Sequence, residues 1–210
     1  MTPKRGRFIS LEGGEGVGKS TQVRALAAVL RERGYDVVET REPGGSAGAE
    51  AIRKLLLEGG ADRWGPRAEA LLFAAARADH VDKTIRPALD AGKWVLCDRF
   101  LDSSIAYQGG ADGLGNDAIR ALHAIGSDGL LPDRTLLLTL AEDLATARET
   151  ARDSGLRDRF GARDPAYHRR VTGAFRALAE ADADRWRIVA AEGNAGDVTK
   201  ALIAAMGDLL

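Results

Sequence analysis

The sequence has little cysteine and histidine: its 210 residues include one cysteine, Cys97, and three histidines. A single thiol cannot form an intramolecular disulfide, and this set of side chains is too small for a structural zinc site. Long apolar runs are missing as well. The apolar stretch at residues 8–11, which follows a basic N-terminus, is far too short for a signal segment or a membrane span. We therefore expect a cytoplasmic protein that does not bind membranes.

The sequence also lacks an excess of either charge. The 30 Lys and Arg residues are balanced by 31 Asp and Glu residues, which gives a formal net charge of -1 at pH 7 and an isoelectric point of about 6.3. This balance argues against a general nucleic-acid-binding protein, and we expect no nucleic acid as a partner. An apolar content of 45% and a charged content of 29% exclude a disordered or fibrous chain. We expect residues 1–210 to form a single domain.

Apolar periodicity predicts strands that alternate with helices. Short apolar runs predict strands at residues 8–11, 36–40, 94–98, 134–140 and 186–190. A helix follows the first strand and ends near Gly34. Ala- and Leu-rich segments predict further helices, roughly at residues 46–58, 66–91, 115–125, 142–153, 165–183 and 195–210. The alternation predicts an α/β fold with a doubly wound, five-stranded parallel sheet that is flanked by helices.

A glycine-rich run stands between the first predicted strand and the helix after it. Residues 13–20, Gly-Gly-Glu-Gly-Val-Gly-Lys-Ser, match the pattern Gly-x4-Gly-Lys-Ser of a phosphate-binding loop, or P-loop. Glycines let consecutive backbone amides turn toward phosphate oxygens at a helix N-terminus, where the helix dipole favours negative charge. Lys19 is expected to reach the β- and γ-phosphates of ATP, and Ser20 to bind Mg²⁺. The residues expected to bind ATP here are Gly13, Gly14, Glu15, Gly16, Val17, Gly18, Lys19, Ser20 and Thr21.

The end of the third predicted strand indicates the class of P-loop protein. Asp98 is followed by Arg99, whereas the corresponding strand of a motor or ATPase usually ends in two acidic residues. The sequence also lacks the Asn-Lys-x-Asp motif of switch GTPases. We expect Asp98 to face Mg²⁺ and Arg99 to bind the phosphate of an acceptor, side by side as phosphoryl transfer requires. A structural ion pair between the two residues is the alternative.

Two further features predict an acceptor site. A carboxylate at Glu15 repels a phosphate unless it points out of the loop, so we expect it to face a sugar hydroxyl or an arginine on the acceptor side. Phe73 and Arg77 lie four residues apart on one helix face, which would let the ring stack on a base while the guanidinium donates to it. Taken alone, Phe73 is more often a core residue.

Arginines are concentrated in one part of the chain. Residues 148–176 contain eight of them, at positions 148, 152, 157, 159, 163, 169, 170 and 176. Acidic residues are interspersed among them. On this pattern alone, the favoured interpretation is a solvated pair of helices with ion pairs between residues four apart.

Several motifs together resemble bacterial thymidylate kinases, in order and in spacing, over nearly the whole chain. They are the P-loop with its acidic third residue, Thr-Arg-Glu-Pro-Gly-Gly at residues 40–45, Leu-Phe to Arg at 72–77, Asp-Arg-Phe at 98–100 and Ser-Ser-Ile-Ala-Tyr-Gln-Gly at 103–109. The runs Arg-Glu-Pro-Gly-Gly and Ala-Tyr-Gln-Gly-Gly are specific to that family, whereas the P-loop is not. The resemblance implies a P-loop NTPase fold and ATP-dependent phosphorylation of thymidine monophosphate (dTMP) to the diphosphate.

The resemblance also implies which residues bind dTMP. Phe73 would stack on thymine and Arg77 would hydrogen-bond the base. Arg53 and Arg99 would hold the acceptor phosphate. Tyr107 would occupy the place of a ribose 2′-hydroxyl and so favour deoxynucleotides. The full set is Glu15, Pro43, Arg53, Phe73, Arg77, Arg99, Ser103, Ser104, Tyr107 and Gln108.

In the light of this resemblance, the arginine-rich segment is predicted to contain a lid, at about residues 153–164. Relatives of one type carry an arginine inside the P-loop, but Gly16 stands at that place here, so the lid would supply it. We expect Arg159 to be the catalytic arginine, beside Lys19, Asp98 and Arg99. Arg148 and Arg152 are expected to assist it and to contact ATP.

Two positions depart from the family pattern. Gly161 stands where relatives commonly have Glu in the lid, and Thr139 stands where they often have Asp at the end of the fourth strand. The first departure puts the contacts of lid closure in question. The family acts mostly as homodimers, and the apolar helix at residues 66–91 is a candidate for the contact, so a homodimer is expected.

Other interpretations stay open on the sequence alone. The first alternative is another P-loop kinase, for a deoxynucleoside or a different monophosphate. A nucleoside kinase would need a carboxylate base, for which Glu15 is the candidate. A nucleotide-binding switch protein is an interpretation of a different class. His80, His123 and His168 show no metal-ligand spacing and are expected at the surface or at an interface.

Overall fold

The fold is built on one parallel β-sheet. A computed structural model describes residues 5–60, 62–152, 159–161 and 163–210. The strands are β1 (Phe8–Glu12), β2 (Val37–Arg41), β3 (Trp94–Asp98), β4 (Arg134–Thr139) and β5 (Trp186–Ala190). Within the described ranges they form a five-stranded sheet in the order β2-β3-β1-β4-β5, and every neighbouring pair is parallel. The predicted sheet and each of its predicted strands are confirmed.

Helices alternate with the strands, as predicted. They are α1 (Lys19–Glu32), α2 (Ala47–Leu57), α3 (Pro66–His80), α4 (Arg86–Asp90), α5 (Leu101–Ser104), α6 (Asn116–Ser127), α7 (Glu142–Arg152), α8 (Pro165–Ala181) and α9 (Ala195–Ala205). Polar side chains begin three of them: Ser46, Asp164 and Asn194 each accept a hydrogen bond from a backbone N–H in the first turn of α2, α8 and α9. None of the helices in the described ranges is long and apolar enough to span a membrane.

Two stretches of the chain differ from the helix prediction. The helix predicted at residues 66–91 consists of α3, a π-helical turn at Val81–Ile85 and α4. The sequence predicted no helix at residues 101–111, where α5 continues into a second π-helical turn, Ile105–Ala111. Gly109 and Gly110 disfavour a helix in isolation, so the packing of this segment against α8 and α6 determines its conformation.

The apolar core lies on both faces of the sheet. On one face, Phe8 of β1 and Leu137 of β4 pack in a cluster that includes Phe175 of α8. On the other face, Ile9 of β1 packs in a cluster that includes Leu26 of α1. Successive residues of a strand point to opposite faces, so a strand that is covered on both sides is apolar throughout.

The topology places several chain segments at the carboxyl edge of the sheet. β1 lies between β3 and β4, which is where the order of connections changes direction and where doubly wound sheets open a crevice for ligands. In the sheet register, Asp98 is aligned with Leu11 on one side and with Arg41 on the other. The P-loop, the segment after Arg41 and the segment after Asp98 therefore meet at one edge.

Candidate active site

The P-loop joins β1 to α1 in a conformation that depends on glycine. Gly13, Gly16 and Gly18 have φ angles of 137°, 72° and 94°, which L side chains rarely adopt. A Cβ atom at Gly13 would collide with the carbonyl oxygen of Leu138, and one at Gly16 with that of Ala145. Position 16 therefore has no room for a side chain in this conformation, which agrees with a kinase that has no arginine inside its P-loop.

Lys19 folds back over the P-loop. Its side chain is buried, and Nζ donates to the carbonyl oxygens of Gly13 at 3.1 Å and Gly14 at 2.6 Å. Burial, together with the charge of Arg99, lowers the pKa of Lys19 to about 8. The ammonium group is thus held at the loop that is expected to bind phosphates, in an environment that makes its charge sensitive to mildly alkaline pH.

Ser20 and Asp98, the two residues predicted to bind Mg²⁺, are in direct contact. Ser20 Oγ donates to Asp98 Oδ2 at 2.5 Å. Both are oxygen donors, as a hard cation prefers. Within the described part of the chain, no group of three or more His, Cys, Asp or Glu side chains is suited to a metal ion. A Mg²⁺ ion held by these two residues therefore needs further oxygen ligands, which phosphates and water provide.

Arg99 connects the P-loop to the segment that follows β3. Nη1 donates to Gly13 O and to Ser103 Oγ, both at 3.0 Å, and Nη2 donates to Glu15 Oε1 at 2.6 Å. Glu15 thus faces an arginine on the acceptor side, one of its two expected partners. Because Asp98 faces Ser20, the neighbouring Asp98 and Arg99 have different partners, contrary to the alternative of a structural ion pair between them.

All ten residues predicted to bind the acceptor line one cavity of about 270 Å³. We call it the acceptor cavity; Lys19, Ser20 and Asp98 also line it, at the side of the P-loop. Two aromatic rings line it as well, those of Phe73 and Phe160, whose centroids lie 5.6 Å apart. The cavity therefore combines residues of a phosphate-binding loop with rings suited to contact a flat base.

Arg77 is held in place by a buried network. Nε donates to Glu42 Oε2 at 2.7 Å, and Nη2 donates to Ser104 Oγ at 2.9 Å and to Phe100 O at 3.2 Å. Its third nitrogen, Nη1, has no partner in the described ranges. Beside it, the Glu42–Pro43 peptide bond is cis.

Arg53 and Tyr107 occupy other walls of the acceptor cavity. Arg53 Nη1 donates to Pro43 O at 2.6 Å, which places its guanidinium beside the loop after β2. Tyr107 Oη donates to Glu15 Oε1 at 3.3 Å, and burial raises the pKa of this phenol above its ordinary value. Tyr107 therefore acts as a neutral donor that helps to orient Glu15.

A second cavity, of about 240 Å³, lies on the other side of the P-loop, and we call it the donor-side cavity. Gly16, Gly18, Thr21, Arg148 and Gly193 are among its lining residues. Arg148 donates to the carbonyl oxygens of Ala191 at 3.1 Å and Gly193 at 3.4 Å. Thr21 and Arg148, both predicted to contact ATP, are thus brought together beside the P-loop, whereas the side chain of Arg152 lies outside the described part.

Comparison with known proteins agrees with this arrangement. Residues 11–202 match the protein-family model described as thymidylate kinase. The chain belongs to the thymidylate kinase family. A thymidylate kinase from Rhizorhabdus wittichii is 67% identical over 205 residues, which cover 98% of this chain and 99% of that protein. One from Nitrobacter winogradskyi is 46% identical over 212 residues, which cover 99% and 92%.

Solved structures include a close fold match. The crystal structure of thymidylate kinase from Ehrlichia chaffeensis superposes with a TM-score of 0.78 at 30% sequence identity, covering 96% of this chain and 99% of that one. The resemblance inferred from motifs and the P-loop NTPase fold are both confirmed. The chain is a phosphotransferase that phosphorylates dTMP with ATP, and the alternatives of a different P-loop kinase or a switch protein are not favoured.

Arg159, the predicted catalytic arginine of this thymidylate kinase, contacts α2 and α3. Its guanidinium is buried; Nη2 donates to Glu69 Oε2 and Nη1 to Leu56 O, at 2.9 and 2.8 Å. These contacts place it next to Glu69, whose other carboxylate oxygen binds Gln108 of the acceptor cavity. Residues 153–158 and 162 of the predicted lid lie outside the described residues; we call the described residues 159–161 the lid stem. The catalytic role of Arg159 stays a prediction.

Both departures from the family pattern lie at a third, larger cavity. Thr139 and Gly161 are among the residues that line this space of about 530 Å³ between the P-loop, β4 and α8. Gly161 follows Phe160, whose ring meets Phe73 in the acceptor cavity. The departure at Gly161 therefore lies next to a residue of the acceptor cavity, although position 161 itself does not line it.

Sequence reasoning missed three buried carboxylates that organise the site, of which Glu12 is the first. Oε1 of Glu12 accepts from the backbone N–H of Phe100 at 2.8 Å, and Oε2 accepts from Ser103 Oγ at 2.6 Å. Burial and the nearby carboxylate of Asp102 raise the pKa of Glu12 to about 8. An acidic residue at the end of an otherwise apolar strand was the signal available.

Glu42 and Glu69 are the other two. Glu42 stands inside the motif Arg-Glu-Pro-Gly-Gly, and it binds Arg77 with one oxygen while the other lies 3.0 Å from His80 Nδ1. Glu69 is buried in α3 and accepts from Gln108 Nε2 at 2.9 Å. Membership of a specific motif was a signal for Glu42, but no local signal distinguished Glu69 from an exposed helix residue.

The expectation that all three histidines lie at the surface or an interface is wrong for two of them. His80 is completely buried, and its Nε2 lies 2.7 Å from Thr40 Oγ1. His123 is also buried and packs edge-on against Phe100. His168 is partly exposed and lines the third cavity. The helices that carry His80 and His123 present these side chains to the interior, where both ring nitrogens of His80 have partners and Nε2 of His123 lies 2.7 Å from Leu130 O.

Proposed function

We propose that this kinase transfers the γ-phosphoryl group of ATP, with Mg²⁺, directly to the phosphate of dTMP bound in the acceptor cavity. One observation carries the proposal. Lys19, Ser20 and Asp98, which are suited to bind phosphate and Mg²⁺, line the same cavity as Phe73 and Arg77, which are suited to bind a base. Donor and acceptor phosphates would meet there without a covalent enzyme intermediate, so catalysis relies on positioning and electrostatics.

The donor would lie with its phosphates on the P-loop and its base in the donor-side cavity. Backbone amides of residues 13–18 and of Lys19 to Thr21 would bind the phosphates, and Lys19 would exchange its two loop carbonyls for phosphate oxygens. Ser20 and Asp98 would hold Mg²⁺. When bound, the ion neutralises charge on the phosphate oxygens. Arg148 lines the donor-side cavity and would contact ATP.

The acceptor cavity suits thymine because it presents one donor and one acceptor to a ring edge. Arg77 Nη1 and Gln108 Oε1 have no partners in the described part of the chain, and both residues line the cavity. Thymine presents a carbonyl oxygen and a ring N–H on adjacent atoms, a pattern complementary to this pair. Phe73 would stack on the ring, and the Tyr107 ring would leave little space for a 2′-hydroxyl.

The acceptor phosphate would lie near Arg53 and Arg99. Both line the acceptor cavity; Arg53 contacts Pro43 after β2, and Arg99 contacts Ser103 after β3. A nucleoside kinase would need Glu15 as a base at a 5′-hydroxyl, but Glu15 accepts from Arg99 and Tyr107. This engagement supports an acceptor that already carries a phosphate. Glu15, Pro43, Ser103 and Ser104 would complete the sugar and base environment.

We further propose that residues 1–210 form one kinase domain with a lid at about 153–164. Arg148 and Arg152 lie before the lid and would assist in neutralising charge on the transferring phosphate. Arg159 would contribute only after exchanging Glu69 and Leu56 for phosphate oxygens. This requirement distinguishes Arg159 from Arg148 and Arg152.

A homodimer is proposed on the basis of an exposed apolar surface formed by α3 and α6. Leu71 of α3 is 56% exposed and Ile125 of α6 is 83% exposed. The two helices pack closely where Gly126 approaches Ala74 and Ala78, and Leu71 lies on the Ala74 side of α3. In a symmetric dimer, the same surface of a second copy of the chain would pack against this one and bury these apolar side chains. We also propose a cytoplasmic location, since the single cysteine is buried and free.

The function is tested by ADP release from Mg-ATP in a coupled assay. The acceptors are thymidine and the monophosphates of thymidine, deoxyuridine, deoxycytidine, deoxyadenosine and deoxyguanosine. We expect release to be fastest with dTMP, absent without an acceptor, and abolished by removal of Mg²⁺ with a chelator. Equal release without any acceptor would identify an ATPase, and release with thymidine alone would identify a nucleoside kinase with Glu15 as base.

A further inference from the structure

Glu69 is a buried charged residue that the mechanism so far does not use. It lies in α3, is 1% exposed, and accepts hydrogen bonds from two directions. Oε1 accepts from Gln108 Nε2 and Oε2 accepts from Arg159 Nη2, each at 2.9 Å. Arg163 Nη2 lies 3.6 Å from the same Oε2. The Glu69 carboxylate therefore links Gln108, which lines the acceptor cavity, to Arg159 of the lid stem.

This contact determines the orientation of the Gln108 amide. A carboxylate that faces two guanidinium groups accepts hydrogen bonds and donates none, so it binds the NH₂ end of an amide and excludes its oxygen. Gln108 Oε1 must then point the other way. Because Gln108 lines the acceptor cavity and its oxygen has no partner in the described ranges, that oxygen is the group presented to a ligand.

The orientation of an amide matters for base selection because it decides whether the cavity offers an acceptor or a donor. The oxygen accepts from the ring N–H of thymine. A reversed amide would offer N–H groups instead, which suit the unprotonated ring nitrogen at the same place in cytosine. An incorrect pairing leaves a buried polar group unsatisfied, which is costly.

We propose that Glu69 is a positioning residue that selects thymine over cytosine by fixing the orientation of the Gln108 amide, and that its bond to Arg159 links this selection to the lid stem. The inference rests on the proposed binding of dTMP in the acceptor cavity. Arg159 contributes by compensating the buried charge of Glu69, and Leu56 O holds the guanidinium in place. Arg159 is thereby a partner of the base-selecting residue.

The test compares base selectivity in Glu69→Gln with that of the wild type. The new amide is equal in size, and it would present its oxygen to Arg159 and its NH₂ group to Gln108, so the Gln108 amide would reverse. We expect the ratio of kcat/KM for dTMP to kcat/KM for dCMP to fall at least about tenfold. A role in folding alone would lower the activity with both acceptors and leave the ratio unchanged.

Glu142→Gln is the matched control, because it makes the same chemical change at an exposed carboxylate 3.4 Å from Arg169. Its ratio should equal that of the wild type. Gln108→Leu removes the amide while it leaves the pair of Glu69 and Arg159 intact, and it should also lower the ratio. In the double variant, Glu69→Gln should cause no further loss, since its effect acts through Gln108.

The outcomes separate this inference from the proposed function. A wild-type enzyme that fails to phosphorylate dTMP would overturn the proposed function. A wild-type enzyme that prefers dTMP, together with an unchanged ratio in folded Glu69→Gln, would overturn the role of Glu69 alone. If Glu69→Gln does not fold, Gln108→Leu and Arg159→Ala decide together: a reduced ratio in both variants supports the proposal, and an unchanged ratio in either overturns it.

Discussion

Glu15 and Arg99 lie 2.6 Å apart at the place where the P-loop meets the acceptor cavity. The pair links the two halves of the active site, because Glu15 belongs to the P-loop and Arg99 follows β3. Arg99 has a φ of 69°, an uncommon value for a residue with a side chain, and contacts to Gly13 and Ser103 hold its guanidinium. These contacts fix the position of the guanidinium, as expected for an arginine that binds the acceptor phosphate.

Replacement of Arg99 by lysine tests whether Arg99 binds the acceptor phosphate. A lysine retains the charge, but it lacks the planar guanidinium that contacts Glu15, Gly13 and Ser103 at the same time. We expect kcat/KM for dTMP to fall by about 10²- to 10³-fold, with a much smaller change in the KM for ATP. Steady-state kinetics with each substrate varied in turn measures both. Arg31→Lys, at an exposed arginine 2.6 Å from Glu39, is the control and should be unchanged; comparable losses for both substrates would contradict the assignment.

The pH dependence of ATP use should follow Lys19. Its pKa is lowered to about 8, so the free enzyme loses this positive charge in mildly alkaline solution. We expect kcat/KM for ATP to fall above about pH 8, approaching tenfold per pH unit. The measurement is a profile between about pH 6.5 and 9.5 at saturating acceptor. Lys19→Arg is the control: the activity that it retains should not fall with pH in that range. A wild-type kcat/KM for ATP that does not change with pH would show that the charge of Lys19 does not control the use of ATP.

Glu12 should make the stability of the protein depend on pH. Its pKa is raised from 4.5 to about 8, so the folded protein keeps a proton that the unfolded chain releases. Stability from this group is complete below about pH 4.5 and is lost as the pH rises to about 8. The free energy of unfolding of Glu12→Gln, measured relative to that of the wild type, should therefore rise by at least about 1 kcal/mol as the pH increases from 4.5 to 8. Urea unfolding at several pH values measures this, and a difference independent of pH would refute it.

Arg159→Ala separates the two roles that Arg159 has been assigned. Loss of the partner of Glu69 should lower the selectivity for dTMP over dCMP, with little change in the KM for ATP, because the guanidinium lies on the acceptor side. The readouts are kcat and both specificity constants. An unchanged kcat with dTMP would show that Arg159 is not the catalytic arginine, and unchanged selectivity would show that it does not act through Glu69.

The proposed dimer is tested at its apolar surface. Leu71→Arg and Ile125→Arg would each place a charge in a buried interface, and the double variant should be monomeric. Light scattering after size-exclusion chromatography measures the mass of wild type and variants at several concentrations. Ile188→Arg, at another exposed apolar residue in β5, serves as the control. A wild type that stays monomeric at high concentration would rule out this assembly.

The parts of the fold that could be predicted from the sequence are those with local causes. The strands were found by their short apolar runs, most clearly β3, and the P-loop was found because its glycines are required by backbone angles that other residues rarely adopt. The motif-bearing residues of the acceptor cavity were found by their resemblance to a family. The π-helical turn at Ile105–Ala111 was missed because its stability comes from packing against α8 and α6.

Sequence by itself determined the parallel sheet, the P-loop and ten of the residues that line the acceptor cavity. Only the tertiary structure decided how the buried charges are paired. Glu69 binds Arg159 across 90 positions of the chain, and Glu12 binds Ser103 across 91. The physical reason is that an ionised or polar group buried away from water requires a partner, and the packing of distant elements, more than any local pattern, determines which group is near enough to provide it.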